Sequence, residues 1–241
     1  PATNPYHGDG TVSALTYDLT GATVNANLGT GALTSNGETN LNGNSAADTV
    51  TVADGTLTVD GALTNNTATV NVEAGTLAAN GTVAASSINV DNGASLTTKE
   101  AERLNDGVAL NADGTVSLGG DETIGDLSGA ATGTIDNSGN DLTVNQTSDQ
   151  GFSGNLTGSG GLAKQGEADL TLGNGSDLTG TANVQDGTLT ISGALATNTI
   201  NVANGATLTT TAADLLSDGA TLTADGTLNL GGNETITNLF G

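Results

Sequence analysis

The sequence predicts an all-β protein, a single-stranded parallel β-solenoid that forms an elongated rod. Three observations predict this fold: a long internal repeat, short runs in which apolar and polar residues alternate, and an apolar content of 35 % that is aliphatic rather than aromatic. A solenoid stacks similar coils around a narrow interior, so it requires repeated segments and apolar side chains of moderate size.

The internal repeat becomes visible when the chain is shifted by 112 positions. This shift aligns residues 71–129 with 183–241 without a gap, and 33 of the 59 aligned pairs are identical. Valine positions that differ stay apolar, as in the pair Val116 and Leu228, whereas polar positions vary more freely. The pattern indicates that apolar side chains face a shared interior and that many polar ones face solvent.

Upstream of this alignment the repeat continues, but the offset between the two copies changes. Residues 31–41 resemble 160–170 at an offset of 129, whereas the next matching stretch lies at an offset of 113. The difference of 16 residues is about one coil of a solenoid. We therefore expect two repeat units, 1–129 with about one extra coil and 130–241, stacked continuously as one structural domain.

Short strands are indicated by period-two runs such as TVTV at 49–52 and TINV at 199–202. Asp-Gly and Asn-Gly dipeptides separate the runs, and these residues favour backbone turns with positive φ. Such dipeptides also close two-residue β-hairpins, so an antiparallel β-sandwich is the alternative fold. Residues 99–106 and 211–218, at equivalent places in the two units, predict at most one or two turns of helix because they are rich in Ala and Leu.

The charge and composition of the chain limit its partners and location. Acidic residues number 26 against three basic ones, a net charge of −23, so neutralisation of phosphates cannot supply affinity for nucleic acid or anionic membranes. No apolar run approaches the ~18 residues that span a bilayer, and membrane insertion is not expected. The lack of Cys is compatible with an extracellular bacterial protein. The lack of Met, also at position 1, indicates a processed product or a fragment.

The sequence contains no constellation that predicts catalysis. His7 is the sole histidine and no Cys accompanies it, so we expect neither catalytic nor cofactor-binding residues, and no dedicated metal site. The equivalent segments 118–124 and 230–236 resemble a calcium loop only superficially, because Asp121 of the first is Asn233 in the second. Weak surface binding of Ca²⁺ remains an expectation from the net charge.

One segment, residues 158–193, has a distinctive order of glycine, leucine and lysine. It resembles the autotransporter-associated β-strand repeat, also called the passenger-associated transport repeat, of bacterial surface adhesins. The resemblance covers 36 residues and implies a right-handed parallel β-helix exposed outside the cell. It also implies structural roles for the motif residues Gly160, Gly161, Leu162, Lys164, Gly166, Leu170, Leu172, Gly180, Gly187 and Leu189.

Three functions are compatible with the sequence. The first is a non-enzymatic, extracellular structural or adhesive β-solenoid, an adhesin or the stalk of an autotransporter-like passenger, that contacts other cells, surfaces or glycans. The second is a subunit that stacks head to tail on itself, or on neighbouring repeats of a longer chain, to form an extracellular fibre. The third is a β-helix that binds or degrades polysaccharides, against which the scarcity of aromatic and basic residues argues.

Overall fold

The computed structural model describes residues 10–241 and confirms the predicted solenoid. All thirty of its strands pair in parallel, and they stack as about 12 turns. The antiparallel sandwich was therefore the wrong alternative. No helix of residues 10–241 has the length and apolarity needed to cross a membrane.

The chain visits three faces of the solenoid in a fixed order, and each face is a ladder of parallel strands. The first face contains β1 (Thr11–Val12), β4 (Asn27–Leu28), β15 (Glu122–Ile124), β18 (Leu142–Asn145), β21 (Leu162–Gln165), β24 (Thr181–Val184), β26 (Thr199–Val202), β28 (Thr221–Ala224) and β30 (Asn238–Phe240). Between β4 and β15 it narrows to single bridging residues, Ser45, Leu63, Val83 and Leu104.

The second face is continuous along the solenoid. It contains β2 (Thr16–Thr20), β5 (Ala32–Asn36), β7 (Thr49–Val52), β9 (Thr69–Val72), β11 (Ser87–Val90), β13 (Ala109–Ala112), β16 (Leu127–Ser128), β19 (Gln150–Phe152), β22 (Leu170–Leu172), β25 (Thr188–Ile191), β27 (Thr207–Thr210) and β29 (Thr227–Leu230). The bridge between Gly129 and Phe152 joins β16 to β19.

The third face contains β3 (Thr23–Val24), β6 (Thr39–Leu41), β8 (Thr56–Val59), β10 (Thr76–Ala79), β12 (Ser95–Thr98), β14 (Thr115–Ser117), β17 (Thr134–Asp136), β20 (Asn155–Gly158) and β23 (Asp177–Leu178). In the last turns it narrows to the bridging residues Ser176, Leu195 and Leu216.

The core is a set of aliphatic columns that run along the solenoid axis. Buried and outward residues alternate along most strands, as expected of strands with one solvated face. Each inward residue lies on the inward residue of the previous turn. One such column on the second face consists of Leu33, Val50, Val70, Ile88, Leu110 and Leu127.

The Asp-Gly dipeptides lie at corners between faces, not in hairpins. Asp54 and Gly55 separate β7 from β8; Gly55 has a φ of 69°, and its amide donates to the Asp54 carboxylate at 2.7 Å. Asp186 and Gly187 form a corner of the same geometry between β24 and β25, with a φ of 61° and a distance of 2.8 Å. A residue with positive φ turns the chain toward the next face while the Asp side chain closes the turn.

The two segments that predicted short helices are not helical. In residues 99–106 the backbone amide of Val83 donates to the carbonyl of Arg103 at 2.6 Å, and Leu104 bridges to Val83. Glu102 and its equivalent Asp214 both have a φ of 53°, which no α-helix allows. Packing of one inward leucine, Leu104 or Leu216, overrides the weak helix propensity of its neighbours.

The two repeat units are displaced by one face relative to each other. Strand β9 lies on the second face, whereas its equivalent 112 residues later, β24, lies on the first. The single-residue bridges follow the same shift, from the first face in the first unit to the third face in the second. Gly129 lies within a turn, and β16 and β17 pair with β13 and β14, so the stack crosses the boundary without a break.

Candidate functional site

The apolar residues of the family motif line the core of the solenoid. The Leu170 side chain lies beside that of Leu189 in neighbouring turns of the second face. All four motif leucines are at most 3 % exposed: Leu162, Leu170, Leu172 and Leu189. Their role in the structure is packing between turns.

The glycines of the motif lie where backbones of successive turns touch. A Cβ at Gly180 would lie 2.0 Å from the carbonyl oxygen of Gly160, and one at Gly187 would lie 2.5 Å from that of Gly166. Gly161 approaches the carboxylate of the preceding turn, to which its amide donates at 2.7 Å. Any larger residue at these corners would push adjacent turns apart.

Lys164 is the one motif residue whose position is unusual for its type. It is 0 % exposed and lies on the inward side of β21, between Val144 and Val184. Its Nζ donates to the backbone carbonyls of Gln165, Gly166 and Asp186 at 2.9, 2.8 and 3.1 Å. Burial lowers the pKa of this ammonium group, although nearby carboxylates oppose the shift. Lys164 therefore holds together two turns at one corner.

Glu122 is a second inward-facing charged residue. It is 1 % exposed, and its carboxylate accepts hydrogen bonds from the amides of Arg103 and Leu104 at 2.9 and 3.1 Å. Burial raises the pKa of Glu122. The hydrogen bonds from these two backbone amides and one from the Thr98 side chain partly offset the rise. The carboxylate thus provides acceptors for the amides of the preceding turn, in which the first face has only the bridging residue Leu104.

The second unit repeats this carboxylate contact. Glu234 accepts from the amides of Leu215 and Leu216 at 3.3 and 3.0 Å. The inward role of Glu122 and Glu234 was not predicted from the sequence, because glutamate side chains normally face solvent. The available signal was the position of Glu122 two residues before the inward Ile124, together with its retention beside the variable Asp121.

Several aspartates of the acidic surface also join turns. Asp126 accepts from the amides of Thr147 and Ser148 at 2.6 and 3.1 Å, and from both hydroxyls. Burial opposes ionisation of Asp126, but these hydrogen bonds outweigh it and lower its pKa. Asp121 accepts in the same way from the amide of Asp141 at 2.8 Å. Part of the negative charge thus has a structural role besides solvation.

Among the clefts in the described part of the chain, two are shallow depressions on the solenoid surface. One of about 230 Å³ lies between turns, beside Val83, Glu102 and Leu104. The other, of about 360 Å³, is formed by the last turn, with Leu228, Leu239 and Phe240 in its lining. Neither groups residues into a nucleophile, base and oxyanion arrangement.

Possible ligands for metal ions are dispersed over the described surface. Within residues 10–241 no three or more His, Cys, Asp or Glu side chains are grouped so that they could hold a metal ion. His7 lies outside the described residues. Weak calcium binding at the acidic surface stays a prediction.

Comparison with known proteins finds no family model, curated protein or solved structure that matches this chain. The resemblance to the autotransporter-associated repeat therefore stays a hypothesis.

Proposed function

We propose that the chain is a non-enzymatic, extracellular structural and adhesive segment of a bacterial surface protein, an adhesin or the stalk of an autotransporter-like passenger. The observation that carries the proposal is the single apolar core that continues from one repeat unit into the next. A parallel solenoid of this kind extends in one direction and presents long lateral faces. About 12 turns spaced by ~4.8 Å give a length of roughly 58 Å.

The surface chemistry supports contact with neutral rather than anionic partners. Most outward positions of the sheets carry Thr, Ser and Asn, as in the column Thr56, Thr76, Ser95 and Thr115 of the third face. These side chains offer hydroxyl and amide groups that suit glycans or protein surfaces. The net charge of −23 disfavours nucleic acid and anionic lipid.

Labelling of intact cells tests the location. Antibodies raised against the purified chain are expected to label unpermeabilised cells of the source bacterium. Labelling only after permeabilisation would contradict an extracellular role. Beads coated with the chain are expected to retain bacterial or host cells better than beads coated with an acidic globular protein of equal charge. Equal retention would contradict the adhesive part.

A second candidate is a fibre in which the last described turn of one copy packs against another turn. Leu230, Leu239 and Phe240 are 50 %, 61 % and 56 % exposed, whereas Leu118 and Leu127, the equivalents of the two leucines, are buried. A further turn, from a second copy or from neighbouring repeats, would cover these side chains and pair the free edges of β29 and β30.

Electron microscopy of dilute protein distinguishes the two candidates. Fibres are expected if second copies stack on the last turn, and Leu239→Asp should abolish them, whereas Asn229→Asp on the outward side of β29 should not. Isolated short rods under all conditions would contradict self-assembly and leave the stalk proposal intact.

A further inference from the structure

We infer that the corner after β5 binds a monovalent metal cation, K⁺ or Na⁺, on oxygen atoms of Ser35, Thr39 and the backbone. This inference is independent of the proposed function. It rests on a comparison with the equivalent corner of the second unit, where a lysine ammonium group occupies the same place.

The two corners correspond residue by residue. The alignment of 31–41 with 160–170 places Ser35 opposite Lys164 and Gly37 opposite Gly166. Both glycines have positive φ, 71° and 78°. In the next turn both corners continue with an Asp-Gly pair that has the same internal hydrogen bond. The two corners therefore share their glycine geometry and this Asp-Gly pair, although the next turn is two residues longer at the first corner.

The carbonyl groups that bind the Lys164 ammonium have counterparts at the first corner. They are Gln165, Gly166 and Asp186 in the second unit. In the first unit they are Asn36 and Gly37, by the alignment, and Asp54, which follows Val52, the partner of Ser35, as Asp186 follows Val184, the partner of Lys164.

Each first-unit carbonyl accepts one backbone hydrogen bond. Asn36 accepts from Gly21 at 2.9 Å, Gly37 from Thr56 at 3.1 Å, and Asp54 from Gly37 at 3.1 Å. Gln165 likewise accepts from the amide of Gln146 at 2.9 Å and still binds Lys164. Because a carbonyl oxygen has two lone pairs, the first corner retains the same capacity for a positively charged partner.

Two buried hydroxyl groups at the first corner are the second, separate observation. Ser35 and Thr39 are 0 % and 1 % exposed, and neither Oγ nor Oγ1 has a hydrogen-bond partner. Buried polar atoms are rarely left unpaired, because desolvation is costly. The equivalent of Thr39 is Ala168, so the additional hydroxyl occurs in the unit that lacks the lysine.

The chemistry of this oxygen set favours a monovalent cation. Three carbonyls and two hydroxyls are neutral, whereas sites for Ca²⁺ include carboxylates, and rings of neutral carbonyl oxygens coordinate K⁺. A single positive charge matches the ammonium charge of the equivalent corner. The net charge of −23 also lowers the free energy of a cation near the chain.

Thermal unfolding in different chloride salts of equal ionic strength tests the inference. Potassium or sodium chloride is expected to raise the midpoint by about 2–4 °C over tetramethylammonium chloride, because the large organic cation screens charge but cannot enter the corner. Equal midpoints in all three salts would overturn the inference.

Two variants locate the effect at this corner. Ser35→Lys places an ammonium group where Lys164 has one, so it is expected to remove the difference between the salts. Thr34→Ala, on the outward side of the same strand, should leave that difference unchanged. If Ser35→Lys does not fold, crystals of the natural chain grown with thallium(I) decide: an anomalous peak beside Ser35 supports the site, whereas an ordered water without such a peak overturns it.

Discussion

The end of the first repeat unit and the last turn of the second contain equivalent residues, but their surroundings differ. Leu127 and its equivalent Leu239 occupy the same place in the repeat, yet one is 0 % and the other 61 % exposed. Glu122 is buried, whereas Glu234 is half-buried. The difference is the presence of a following turn. Burial in a solenoid is thus supplied by the neighbouring turn and not by the turn itself.

The largest difference is expected at the equivalent leucines. Leu127→Ala should lower the free energy of unfolding by about 2–5 kcal/mol, because it opens a cavity in the column. Leu239→Ala should cost less than about 1 kcal/mol, because that side chain is largely exposed. Urea unfolding followed by circular dichroism measures both. Equal losses would show that the last turn is covered in solution.

Substitution of a stacked corner glycine by alanine should lower the free energy of unfolding by similar amounts in both units. Gly75→Ala should cost more than the roughly 1–2 kcal/mol of positive-φ strain, because its Cβ would lie 2.1 Å from the carbonyl oxygen of Gly55. Gly187→Ala, the equivalent change, should cost a similar amount although it lies at a different corner. Gly93 has a φ of 90° and nothing within 4 Å of its Cβ position. Gly93→Ala therefore measures the strain alone in the same unfolding assay.

Loss of the glutamate carboxylate should lower the free energy of unfolding more in the first unit than in the second. Glu122→Ala should cost about 1–3 kcal/mol, since it leaves buried amides of Arg103 and Leu104 without an acceptor. Glu234→Ala should cost less because Glu234 is half-buried. Glu122→Gln, which retains one acceptor oxygen, should lose less than Glu122→Ala in urea unfolding at neutral pH.

The raised pKa of Glu122 gives this contact a pH dependence. The folded protein binds a proton at Glu122 at higher pH than the unfolded chain does. As the pH falls from neutral through the raised pKa toward 4.5, the natural chain should therefore gain stability relative to Glu122→Gln. Unfolding of both proteins across this range measures the difference. A constant difference would contradict the burial of an ionisable group.

The smallest effect is expected at Asp126, whose equivalent in the last turn is Asn238. Asp126→Asn should cost about 0.5–1 kcal/mol, because the partly exposed carboxylate loses charge-assisted hydrogen bonds to Thr147 and Ser148. The pKa of Asp126 is lowered below 3.8. Its contribution should thus be present above that pH and disappear as the pH falls through the folded pKa. A loss independent of pH would contradict this account.

The solenoid fold could be predicted from the sequence because the period-two patterns and the internal repeat both mark the residues whose side chains face the core. Leu33, Leu162 and Ile124 are recognisable core residues. Their neighbours two positions away, Ser35, Lys164 and Glu122, lie on the same inward side, and the same periodicity indicated this. Their inward orientation was nevertheless not predicted, because polar and charged side chains are seldom buried and charged groups are buried only where hydrogen bonds compensate.

The displacement between the units could not be read from the sequence. An offset in residues does not convert into an offset in turns, because successive turns differ in length, as the spacing of Val50, Val70, Ile88 and Leu110 shows. Only the pairing of strands shows on which face each copy lies.

A displacement by one face determines how an array of such units would present itself to its surroundings. Any binding patch on the lateral surface of one unit would reappear on the next unit turned by a third of a revolution. A third unit added by the same rule would turn it again, and a fourth would return it to its starting direction. Such an array would display identical patches toward every side of its axis, so that it could engage a target whatever its own rotation.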